Sequence, residues 1–156
     1  MLPRLFAIEV LSVGFGESII LHYGDPDKPK FVLIDGGRPP TFKKSLAPRL
    51  SELRATWFPK ESLPLEYVIV SSQLFTRIGG IRELLESLQD SRSSDTQPQV
   101  QIKNLWFESF GPGHARNGRA HTRLIAEEIG IPLNEPFVNV VTRPTYGSVS
   151  LDLATE

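Results

Sequence analysis

Two short apolar runs constrain the fold of this chain more than any other feature. Residues 31–35 read FVLID and stop at Gly36 and Gly37, and residues 65–70 read LEYVIV. Apolar runs of this length with little polar alternation are typical of strands buried within a sheet. Between them lies a longer segment with helical spacing. We therefore expect a sheet whose buried strands are joined by helices.

The first part of the chain predicts three strands. Residues 5–12 alternate along a first strand, residues 18–23 form a second, and the FVLID run is the third. Residues 13–17 join the first two strands, and their two glycines can take the positive φ angles of a tight turn.

Helices with one apolar stripe are predicted on either side of the second apolar run. The first runs to about Arg54 with Thr41 as its N-cap, and the second follows Gly80. Their stripes repeat at spacings of three and four residues. The stripe residues are Phe42, Leu46, Leu50 and Leu53 in the first helix, and Ile81, Leu84, Leu85 and Leu88 in the second.

The rest of the chain continues this alternation within one domain, residues 1–156. The polar segment 90–99 is predicted to be a mobile surface loop inside that domain. A strand is predicted over 100–108 and a helix over 120–129, with further strands over 137–141 and 148–153. Helices and strands in this order are typical of an α/β layered fold.

Composition excludes several classes of protein. The absence of cysteine excludes disulfide scaffolds, thiolate zinc sites and cysteine nucleophiles. With 17 basic and 18 acidic residues, a broad basic surface for nucleic acid is not expected. No apolar run approaches the roughly 20 residues of a membrane helix, and the N-terminus lacks a signal-peptide pattern. We expect a cytoplasmic protein that does not bind membranes.

Two motifs resemble the opening of the metallo-β-lactamase fold. Residues 13–18 (VGFGES) and 33–37 (LIDGG) are similar to the Val-Gly-Gln-Gly-Asp-Ser and Leu-Ile-Asp-Gly-Gly motifs of the soluble hydrolase-like domains related to the competence protein ComEC. Residues 104–109 and 130–137 also resemble later segments of this family. The resemblance implies an αββα sandwich of two β-sheets flanked by helices, truncated here to about its first half.

The same resemblance locates a degenerate metal loop. Residues 71–80 (SSQLFTRIGG) stand where the family has Thr-His-x-His-x-Asp-His-Ile-Gly-Gly, so the ligand positions become Ser72, Leu74, Thr76 and Arg77. Leu74 has no donor atom, the two hydroxyls stay protonated near neutral pH, and Arg77 is a permanent cation. We therefore expect no metal, no cofactor and no catalytic residue at this loop.

Asp35 stands where the resemblance implies an aspartate that supports the metal loop. One interpretation is that it caps the turn formed with Gly36 and Gly37. The other is an ion pair with Arg77 that takes the place of a metal, since a buried aspartate without a partner would be costly.

Other polar residues give weaker indications. His22 is expected to be structural, and His114 with His121 offers at most a weak metal site. Ser71 and Ser72 could be considered as nucleophiles, but the sequence around them lacks the Gly-x-Ser-x-Gly elbow. A local basic cluster is expected to be a solvated face or an anion contact; its members are Arg116, Arg119 and Arg123.

These observations favour a catalytically inactive, metallo-β-lactamase-like pseudoenzyme. A lone half of the sandwich would leave one apolar sheet face uncovered, so we expect a protein partner or self-association to cover it. The chain would then be a structural or interaction subunit of a complex. The alternative is a metal-dependent hydrolase or nuclease, active only when completed by a partner or by a missing C-terminal half. A third possibility is an anion-binding module that uses Arg77.

Overall fold

A computed structural model of the chain describes residues 4–72, 74–107 and 118–134. The strands predicted over 137–141 and 148–153 lie outside these residues. No helix in the described ranges is both long enough and apolar enough to cross a membrane.

Within the described residues, seven strands form one mixed sheet. The strands are β1 Leu5–Val10, β2 Ile19–Asp25, β3 Lys28–Ile34, β4 Leu63–Val70, β5 Val100–Ile102, β6 Leu105–Phe107 and β7 Leu133–Asn134. The sheet order is β1-β2-β3-β4-β6-β7, and β5 pairs with the start of β4. The β1-β2-β3 part is antiparallel, and the remaining pairs are parallel. The mixed α/β class predicted from the sequence is confirmed.

The helices lie along the chain between β3 and β7. They are α1 Pro39–Thr41, which continues through the π-helical segment Phe42–Leu46 into α2 Ala47–Trp57, then α3 Phe75–Ser93 and α4 Gly118–Glu128. Apolar residues of the helices join the buried side chains of the strands in one core cluster. Ile20, Phe31 and Leu33 are its fully buried members on β2 and β3, so the helices cover that side of the sheet, the inner face.

Both predicted helix stripes are confirmed, because all eight of their residues are buried in the core. The predicted N-cap is wrong. The first helix begins three residues earlier than this N-cap implies, at Pro39 with Arg38 as N-cap, and Thr41 is buried within its first turn. Proline favours this start because its fixed φ suits the first helical turn.

Other boundaries also differ from the prediction. The second helix, α3, begins at Phe75 and ends at Ser93, so residues 90–93 of the predicted loop belong to a helix. The predicted strand 100–108 is divided into β5 and β6, with Lys103 and Asn104 between them. That break lies opposite an irregularity of β4, where the pairing with β3 shifts between Phe31 and Val32.

Candidate functional site

The segment that the resemblance identifies as a degenerate metal loop follows the carboxyl end of β4, beside the carboxyl end of β3. These two neighbouring strands are parallel, so Asp35 and Ser71 follow their ends at the same edge of the sheet. The turn between β1 and β2 and the start of α3 meet at that edge. In open α/β sheets, ligand sites form at the carboxyl ends of the strands. This edge is therefore the candidate functional site.

Glycines let these segments approach at backbone distance. A Cβ added to Gly16 would lie 1.8 Å from the carbonyl oxygen of Thr76, and one added to Gly80 would lie 1.9 Å from that of Gly36. The Gly36 N–H donates to the Arg77 carbonyl at 2.7 Å, and the Gly80 N–H donates to the Gly37 carbonyl at 2.9 Å. The frame of the loop is therefore fixed by backbone contacts, which do not depend on the residues at its ligand positions.

Asp35 is only 2% exposed and has a left-handed φ of 57°. Its Oδ1 accepts the backbone N–H of Ser71 at 2.8 Å, and its Oδ2 accepts the Ser71 hydroxyl at 2.5 Å. The carboxylate thus ties the end of β3 to the segment that follows β4. The first interpretation, a cap of its own turn, does not describe these contacts.

Burial raises the pKa of Asp35 above the ordinary aspartate value, and the nearby Glu17 carboxylate adds to the rise. The two hydrogen bonds from Ser71 and the charge of Arg77 act in the opposite direction without cancelling it. Burial therefore disfavours the charged form of Asp35, while its contacts with Ser71 and Arg77 favour that form.

Arg77 contacts Glu17 more closely than it contacts Asp35. Its Nε lies 2.5 Å from Glu17 Oε2 and 4.0 Å from Asp35 Oδ2, and its Nη1 donates to Ser71 Oγ at 3.1 Å. The second interpretation, an ion pair of Asp35 with Arg77, is met only by this contact at 4.0 Å. The closer partner, Glu17, is not among the residues predicted for this site, although it occupies the acid position of the VGFGES motif.

The other three ligand positions do not converge on one point with donor atoms. Ser72 Oγ accepts the Leu74 N–H at 3.2 Å, which is a local turn contact. The Leu74 side chain is 60% exposed, and Thr76 is half-buried in the first turn of α3. No group of three or more His, Asp or Glu side chains suited to a metal occurs among the described residues. The guanidinium of Arg77, held between two carboxylates and a hydroxyl, can lock the loop but cannot act as a Lewis acid.

The remaining candidate residues are not brought to this edge. His22 is half-buried on β2, where its Nε2 lies 2.9 Å from Glu9 Oε2. Arg123 is exposed on α4 and pairs with Glu127 at 2.8 Å. His114 and Arg116 lie outside the described residues. Arg119 and His121 belong to α4, but their side chains lie outside the description.

The opposite side of the sheet carries a second surface of interest, which we call the outer face. Cross-strand pairing aligns its side chains in rows: Ile8, Leu21, Val32 and Tyr67 in one row, and Val10, Ile19, Ile34, Ile69 and Trp106 in the next. Phe6 and Tyr23 extend the face at one end, which gives eleven uncharged residues, and the exposed Lys30, which pairs with Tyr23, places one charge beside them. These eleven residues alternate along their strands with the core residues of the inner face.

Exposure on the outer face is greatest at β1, the edge strand. Phe6 is 70%, Ile8 60% and Val10 72% exposed, whereas most of the other outer-face residues are half-buried. None of these eleven residues belongs to the core cluster, in which side chains of the helices pack against the inner face. Contiguous apolar surface of this kind marks a contact site in a folded protein.

Comparison with protein-family models and with curated proteins gave no match to this chain.

Proposed function

We propose that this protein is a non-catalytic subunit with a metallo-β-lactamase-like fold that acts through protein–protein contacts at its outer face. The observation that carries this proposal is the eleven-residue apolar surface, whose most exposed members lie on an edge strand. An edge strand with exposed apolar side chains is a liability unless something pairs with it or covers it. A subunit role accounts for that surface.

The contacts of Arg77 with Glu17 and Asp35, at the carboxyl ends of β3 and β4, support the proposal that the protein is not catalytic. The backbone frame keeps the loop closely packed against the 13–17 turn and Gly36, while its ligand positions carry Ser72, Leu74, Thr76 and Arg77. Arg77 is engaged by Glu17 and Ser71, which also disfavours its use as a free anion receptor. Nothing in the described residues favours the alternative of a metal-dependent hydrolase.

Metal titration by calorimetry tests the non-catalytic part. We expect no saturable uptake of Zn²⁺ or Mn²⁺ by the native chain. The quadruple variant Ser72→His, Leu74→His, Thr76→Asp, Arg77→His should gain one if the loop frame is that of the family. A quadruple alanine variant at the same positions is the matched control. Uptake by the native chain would contradict the proposal, and no uptake by the His/Asp variant would contradict the fold assignment.

Native mass spectrometry of the gently purified full chain tests the interaction part. We expect an assembly heavier than the 17.4 kDa chain, with no mass due to metal. The Ile8→Lys variant should lose that assembly, because it places a charge within the apolar surface. A native chain found only as a free 17.4 kDa species would count against a subunit role.

A further inference from the structure

We infer that the occupant of the outer face is a second copy of this chain, packed face to face about a two-fold axis. This inference rests on the proposed function and specifies its partner. In the described part of the molecule, helices cover only the inner face, so the layers are helix and sheet. Two copies meeting by their outer faces would form four layers, helix-sheet-sheet-helix, in which both sheets are covered on both sides.

The charge distribution suits contact between identical surfaces. The two complete rows of the outer face carry no charge, and Lys30, which pairs with Tyr23, lies at one end of the face. The charged residue of β1, Glu9, pairs with Arg49 of α2 and with His22, on the inner side. At one end of the face, Lys103 forms an ion pair with Glu66 at 2.7 Å. Like-charge repulsion between two copies is therefore limited to the end of the face that carries Lys30.

The shape and composition of the face also favour a copy over an unrelated surface. Aligned packing of two sheets requires that their twists match, and two copies match by construction. Two-fold contacts are self-complementary and are the commonest symmetry of soluble oligomers. Phe6, Tyr23, Tyr67 and Trp106 give the face the aromatic content typical of interface cores, and Tyr67 and Trp106 already pack edge to face at 4.6 Å.

The size of the face predicts a dimer of modest affinity. Five strands spaced about 4.8 Å apart and six residues long define a footprint of roughly 24 Å by 20 Å, on the order of 500 Å². A standard interface removes about 800 Å² of accessible surface from each partner. The outer face is smaller than this standard and falls in the size range of weak, transient contacts, so we expect a dissociation constant on the order of 10 µM.

Sedimentation equilibrium from about 1 to about 200 µM brackets the expected constant. The native chain should convert from monomer to dimer over this range. Ile8→Lys should weaken the dimer by at least about 100-fold, because it would bury an unpaired charge. Leu124→Lys is the matched control: Leu124 is 62% exposed on α4, compared with 60% for Ile8, and this variant should dimerise normally. Circular dichroism checks that both variants fold.

Hydroxyl-radical footprinting of the native chain at the lowest and highest concentrations of this range shows which side chains the dimer covers. Face-to-face packing predicts that Phe6, Tyr23, Tyr67 and Trp106 all become protected at high concentration. Pairing of two β1 edges would protect Phe6 alone and would overturn the inference, as would a dimer that Ile8→Lys leaves intact.

Failure of this inference is distinguishable from failure of the proposed function. The chain could stay monomeric when pure but form an assembly with a different polypeptide, and Ile8→Lys could abolish that assembly. This result would overturn only the inference that a second copy occupies the outer face. A monomer whose outer-face aromatics are protected at every concentration overturns both, because the face would then be covered within its own chain.

Discussion

The two faces of the sheet are built from the same kinds of side chain but meet different surroundings. On the inner face, Ile20 and Leu33 are fully buried under the helices. On the outer face, Ile8 and Val10 of the neighbouring edge strand are mostly exposed. An apolar strand pattern therefore identifies residues suited to burial, while the packing of other elements decides which of them are buried.

The faces also differ at the β1 edge. The inner side carries Ala7, which is exposed, and Glu9, which is tied to Arg49. The outer side stays apolar through Phe6, Ile8 and Val10. A face that water bounds would be expected to become polar toward its edge, as the inner side does. The outer side does not, and this difference is the physical basis of the interaction proposal.

The largest expected effect is on the free energy of unfolding, which substitutions on the two faces should change by different amounts. Leu33→Ala should lower the free energy of unfolding by about 3 kcal/mol, because it opens a cavity in the core. Ile8→Ala should change it by less than about 0.5 kcal/mol in the monomer, since the side chain is already mostly exposed. Urea unfolding at about 1 µM protein, below the expected dimer range, measures both. Equal losses would mean that the outer face is covered within its own chain.

A smaller effect concerns the polar edge of the inner face. Burial would raise the pKa of Glu9, but the hydrogen bonds and charges of Arg49 and His22 outweigh it and lower that pKa. Glu9→Gln should therefore destabilise the chain by about 1 kcal/mol at neutral pH. The native stabilisation should persist above the unfolded-state pKa and be lost as the pH falls through the folded-state pKa.

The control for this variant is Glu52→Gln, which removes the other carboxylate bound by Arg49. The Glu52 side chain is 65% exposed and lies one helical turn from Arg49, so its loss should change stability by less than about 0.5 kcal/mol. Urea unfolding of both variants across acidic and neutral pH provides the measurement. A loss at Glu52 equal to that at Glu9 would show that Arg49 does not connect α2 to β1 specifically.

The helix stripes and the strands of the inner face could be predicted from the sequence because their spacing is local. Phe42 and Leu46, or Ile81 and Leu85, are four residues apart, and this spacing already defines a helix face. The same spacing does not locate the start of the first helix, because Thr41 is a good N-cap type although the helix begins at Pro39. The division of residues 100–108 into two strands depends on the irregular pairing of β4, which no local pattern within that segment reveals.

The carboxyl edge could be predicted only in part, for a reason of distance along the chain. Asp35 and Arg77 were recognised as neighbours through the resemblance. Glu17, the closer partner of Arg77, was not, because its position depends on how nearly the Gly16 turn approaches Thr76. The one available signal was its place as the acid of the VGFGES motif. Long-range contacts set by backbone approach leave no periodic trace in a single sequence.

The smallest effect concerns Asp35, which is buried where the edge loops close over the ends of the strands. Burial raises its pKa, so between the ordinary aspartate value and the raised folded value the unfolded chain is ionised while the folded chain keeps its proton. Folding stability should therefore fall as the pH rises through this window, the opposite slope to that of Glu9. Asp35→Asn, which can still accept the Ser71 N–H, should remove that fall. Urea unfolding at a series of acidic pH values measures the free energy of unfolding of the native chain and of Asp35→Asn. If the two free energies change in parallel with pH, burial does not raise the pKa of Asp35.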